Sequence, residues 1–125
     1  MKFFIAAGAA ALLGAAPVAG QGMPAPPASR AATITGTVVD LSCKFSNGLT
    51  GEGHRMCAQV CADAGVPLVI LGSDGQLYLP AGAGMPSAGQ NDRLKEFAEQ
   101  QVRVTGQVFD AAGGQVIRIE RVQRT

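Results

Sequence analysis

Ile34-Thr35-Gly36-Thr37-Val38-Val39-Asp40 and Val104-Thr105-Gly106-Gln107-Val108-Phe109-Asp110 match in residue type at nearly every place, and their reading decides the fold. Both are rich in β-branched residues, so residues 33–41 and 101–110 read as strands. Glycine inside a strand weakens it unless a bulge or a tight bend uses the missing side chain. Two such strands predict a small curled barrel, with the glycine-bearing strands as neighbours and a bend or bulge at each glycine.

The flanking sequence supplies three more strands. Residues 66–71 and 76–79 surround Gly72-Ser73-Asp74-Gly75, a hairpin pattern. Residues 116–122 follow Ala111-Ala112-Gly113-Gly114 and pair back on the strand before them. Helical periodicity appears over residues 53–64, ended by Gly65 and Pro67. It appears again over residues 91–99, where Leu94, Phe97 and Ala98 share a face. The predicted class is mainly β, of α+β type. It is a five-stranded OB-like barrel with a helix inserted after strand 1 and a short helix before strand 4. A small open α+β sheet is the rival.

The chain begins Met1-Lys2, and residues 3–16 then carry no charge. This is the pattern of a signal peptide. The apolar run, about 14 residues, is shorter than the roughly 20 that a membrane-spanning helix needs. Val18-Ala19-Gly20 offers small residues for cleavage, so residues 1–20 are expected to leave and Gln21 to begin an exported, periplasmic or secreted protein with no transmembrane anchor. Residues 21–32, with Pro24, Pro26 and Pro27, read as a flexible tether, and residues 33–125 as the folded domain.

Lys and Arg number 10 and Asp and Glu 9, so loss of Lys2 with the leader makes the expected product formally neutral. Phe45, Tyr78, Phe97 and Phe109 are scattered. Neither a basic stripe nor a stacking platform for nucleic acid is present. Paired carboxylates, a serine with a base, and a phosphate-cradling glycine loop are missing too, so catalysis has little to stand on.

A domain of this size has a modest core and often needs a disulfide or a metal as a staple. Cys43, Cys57 and Cys61 are its three cysteines, so one thiol is left over from any single internal disulfide. His54, Cys57 and Cys61 stand at i, i+3 and i+7, within about 60° of one another on a helix. Cys43 stands just past the end of strand 1, and the loop at 44–53 can fold it back to that face. Four thiolate and imidazole donors suit Zn2+ or Cu(I). The competing reading makes cysteines 57 and 61 part of an apolar helix side with Ala58, Val60, Ala62 and Ala64, and joins Cys43 to one of them as a staple. Met56 points away from the cysteine face. Asp40 reads as a strand-end residue, because Asp110 holds the same place in a strand without cysteine.

Gly36-Thr37-Val38-Val39-Asp40-Leu41-Ser42-Cys43 followed by His54-Arg55-Met56-Cys57-Ala58-Gln59-Val60-Cys61 resembles a largely uncharacterised family of small exported bacterial proteins. That family has a G-x-V-x-D-x-x-C strand and an H-x-x-C-A-x-x-C helix. The resemblance covers roughly residues 35–122 and implies that the Cys/His set acts as one unit; it brings no activity with it. The expected function is an exported binding or carrier protein with a Cys3His soft-metal or redox site, its partner a metal ion or another exported protein. The alternative is a disulfide-stapled interaction domain without metal.

Overall fold

The structure, a computed structural model, describes residues 20, 22, 25–111 and 113–125. The leader expected over residues 1–20 lies outside them apart from Gly20. Among the described residues, no helix is long and apolar enough to cross a membrane.

Five strands close a barrel in the order β1-β2-β3-β5-β4, with β4 returning to β1. They are β1 (Ser29–Asp40), β2 (Leu68–Gly72), β3 (Leu77–Pro80), β4 (Gln101–Ala111) and β5 (Gly114–Arg124). All neighbours are antiparallel except β3 and β5, which pair in parallel from Tyr78↔Gln115 to Pro80↔Ile117. This is the OB-like arrangement expected, and the open sheet is excluded by the β4–β1 closure. β1 starts at Ser29, inside the stretch read as tether. Its first residues are held by pairing with β4, from Ser29↔Phe109 to Thr37↔Gln101.

Period-two patterning builds the interior. Ile34 and Val38 of β1, Val102, Val104 and Val108 of β4, and Ile117 and Ile119 of β5 face one cluster with Leu68, Ile70 and Tyr78. Asp40 continues the inward parity of β1 and is fully buried. The two glycine strands are neighbours, and their glycines serve different needs. At Gly106 the β4–β5 register slips, Thr105 pairing with Arg121 and Gly106 with Ile119, which leaves Glu120 unpaired in a bulge. Arg93 donates to the carbonyls of Ile119 and Glu120 there, at 2.7 and 3.2 Å. Gly36 pairs with Gly72 with no slip of register, and at both Gly36 and Gly106 a Cβ would run into the backbone of the neighbouring strand.

The β1–β2 connection carries the helices that matter for function. α1 (Leu41–Asn47) follows β1 directly, a 3-10 turn covers Glu52–His54, and α2 (Arg55–Asp63) follows it. α1 takes up residues 44–47 of the stretch that reads from the sequence as a loop. Asp40 starts it as an N-cap, its Oδ1 accepting the Cys43 N–H at 2.9 Å. Gly48, with φ 69°, ends it. Before β4, α3 (Asn91–Leu94) and a 3-10 turn (Lys95–Phe97) bring Leu94 and Phe97 into the core.

Candidate metal centre

α2 is fastened so that one edge faces α1. Its buried residues are Ala58 and Ala62, in line with buried His54 four residues before Ala58. Val60 is 62% exposed, which corrects the apolar side drawn through Val60, Ala64 and the cysteines. Cys57 and Cys61 instead lie on the flank of the helix, exposed and half-buried respectively. Asn91 holds the C-terminal end of α2 against the barrel. Its amide donates to Ala62 O and Val66 O, each at 2.9 Å, and its Oδ1 accepts the Leu68 N–H at 2.9 Å.

Two groups of donor atoms result, with Cys43 common to both. One is Cys43, His54 and Cys57; the other is Asp40, Cys43 and Cys61. Within each group the donor atoms lie within 4.8 Å of one another. The four expected ligands therefore do come together around Cys43, but not as one quartet: Cys61 pairs with Cys43 and Asp40. Cys43 Sγ and Cys61 Sγ are 4.0 Å apart. A disulfide needs about 2.05 Å. The edge of a zinc–thiolate tetrahedron with ~2.3 Å bonds is about 3.8 Å. All three cysteines are free, so the disulfide-stapled alternative is not the form seen.

Glu99 was missed in the sequence and supplies the support for His54. Its carboxylate is buried and accepts three hydrogen bonds: Gly51 N–H at 2.8 Å, Thr50 hydroxyl at 3.2 Å, and His54 Nδ1 at 3.0 Å. An ionised carboxylate only accepts, so Nδ1 is the donor of this pair, and in the neutral ring Nε2 then has the lone pair. His54 Nε2 is buried and has no hydrogen-bond partner. A carboxylate behind a histidine, fixing its ring and tautomer, is the usual second layer of a metal site. Glu99 also has φ 60°, a left-handed conformation that costs a non-glycine residue on the order of 1 kcal/mol. Its N–H donates to Val38 O at 2.8 Å, and Val38 N–H donates to Gln100 O at 3.1 Å, so β1 holds it in that conformation.

Asp40 reads from the sequence as a strand-end residue like Asp110, yet the two environments differ. Asp110 is exposed beside Arg30 at the open end of β4. Asp40 is fully buried, and its Oδ2 has no hydrogen-bond partner. The pull of this carboxylate on the Cys61 S–H proton, too loose to count as a formed hydrogen bond, comes first and burial second in pushing the Cys61 thiol up to about 12. Burial, above all, raises Cys43 as well. Both effects favour the protonated thiols.

Comparison with protein-family models, with curated proteins and with solved structures finds no match to this chain.

Proposed function

We propose that the chain is an exported soft-metal binding or carrier protein, with Cys43, His54 and Cys57 as ligands for Zn2+ or Cu(I) and Cys61 in reserve beside Cys43. The observation that carries the reading is the His54 ring: Nδ1 is committed to Glu99, Nε2 is buried without a partner, and a ring nitrogen of His54 lies within 4.8 Å of the Cys43 and Cys57 sulfurs. A buried polar atom left without a partner costs about 1–3 kcal/mol. A cation removes that cost.

Three donors from this chain leave the fourth position to a donor from outside, as in sites that exchange their ligands. Cys57 is exposed, so an incoming thiol can reach the metal without opening the fold. Phe45, Met56 and Val60, each one or two residues from a cysteine, are exposed as well. Export is proposed from the uncharged run after Lys2 and the Val18-Ala19-Gly20 site. Intact-mass measurement of the secreted product should find a chain beginning at or near Gln21; retention of residues 3–16 would contradict it.

The metal reading is tested by titrating fully reduced wild type and His54→Ala with Zn2+ and with Cu(I) under a competing chelator. Wild type should bind more tightly than about 1 μM, and the variant should bind far more weakly. Equal affinities in the two proteins, or only weaker binding in both, would retire the site.

A further inference from the structure

We infer that the centre takes two divalent cations of the Zn2+ class, the second held by Asp40, Cys43 and Cys61, with the Cys43 thiolate bridging the pair. The inference rests on the metal reading of the His54 group and extends it. Asp40 provides the first argument. Its Oδ1 is used by the Cys43 N–H, while its Oδ2 is fully buried and unpartnered, and a carboxylate oxygen of Asp40 lies within 4.8 Å of the Cys43 and Cys61 sulfurs. A buried carboxylate oxygen needs either a proton donor or a cation.

Cys61 provides the second argument. It stands 4.0 Å from Cys43 and outside the group that contains His54, so a single ion on His54, Cys57 and Cys43 leaves it unused. Charge provides the third. Three thiolates and Asp40 carry four negative charges, and two divalent ions balance them; one divalent ion, or two Cu(I), leaves two charges over in a half-buried site. Glu99 does not alter the count, because its charge is already met by three donors. A mixed carboxylate and thiolate set also favours Zn2+ over Cu(I). Loading replaces three S–H bonds by metal–sulfur bonds and releases three protons to solvent, with no change of oxidation state.

High-spin Co2+ serves as the probe in the reduced full chain, followed by its optical bands and by electron paramagnetic resonance. Wild type should take two equivalents, with a resonance that grows to the first and falls as the second couples to it through the shared sulfur. Asp40→Asn keeps the N-cap acceptor for Cys43 N–H and removes the charge. It should lower the affinity for the second equivalent by about a hundredfold and leave the first in place. One equivalent in both proteins would overturn the second site and spare the first. Two equivalents with additive resonances would overturn the bridge. Uptake lost entirely in Asp40→Asn but unchanged in His54→Ala would place the metal without His54. No uptake in any protein would remove the metal reading altogether.

Discussion

Gly36→Ala tests the barrel at its β1–β2 seam, because the clash it creates is with backbone. A Cβ at position 36 would lie 2.5 Å from Leu71 O and 2.9 Å from both Leu71 C and Gly72 Cα. Ordinary contact begins near 3.4 Å, so β2 must retreat by about 0.9 Å. Flexible side chains cannot absorb that displacement, since Gly36 pairs with Gly72 in the ladder that continues to Asp40↔Leu68. Overpacking of this order costs about 1–3 kcal/mol, and weakened hydrogen bonds between β1 and β2 add to it. A loss of about 2–3 kcal/mol, or on the order of 15 °C in Tm, is expected for a domain of this length. Urea and thermal unfolding of the reduced, metal-free protein, followed by far-ultraviolet circular dichroism, measures it. Gly53→Ala is the control: its Cβ would meet nothing within 4 Å, and stability should stay level or rise slightly. A loss below about 1 kcal/mol in Gly36→Ala would refute the close β1–β2 approach.

Glu99→Gln keeps the size of the side chain but weakens its hold on His54 Nδ1, so metal affinity should fall by about 10–100-fold with the circular dichroism spectrum unchanged; unaltered affinity would remove Glu99 from the centre. Asn91→Ala strands the Leu68 N–H and two carbonyls, and unfolding should become easier by about 2–4 kcal/mol in urea titration. The Tyr78 hydroxyl donates to Asp74 Oδ2 at 2.6 Å and is the main reason the Asp74 carboxyl titrates below its ordinary 3.8. That contribution to stability is present above pH 3.8 and lost as pH falls through the lower folded value. Urea midpoints of Tyr78→Phe between pH 2 and pH 5 should therefore fall less steeply with acid than those of wild type; parallel curves would count against the bond.

Period-two patterning, paired glycines and turn residues made the strand order legible, because these are local properties of the chain. α1 was not legible: it is seven residues long, and what starts it is one buried carboxylate bonding the Cys43 N–H. The spacing of His54, Cys57 and Cys61 reads as one helical face, whereas His54 ends the 3-10 turn before α2 and groups with Cys57 and Cys43, and spacing could not show that Cys61 groups with Asp40. Period two along β1 did hold the clue to Asp40, since Ile34, Gly36, Val38 and Asp40 share a parity; comparison with Asp110 obscured it. Glu99 left no mark in Ala98-Glu99-Gln100. Its role depends on Thr50, Gly51 and His54, at least 45 residues away in the chain, which only the closed barrel brings beside it.

X-ray absorption of the zinc-saturated, fully reduced protein tests the central claim most directly, because it counts the ligand atoms themselves. Thiolate sulfur at about 2.3 Å and nitrogen at about 2.0–2.1 Å with the multiple scattering of an imidazole are predicted in wild type. The imidazole pattern should vanish in His54→Ala. A zinc environment of light atoms alone, or an imidazole pattern that survives the substitution, would contradict the account.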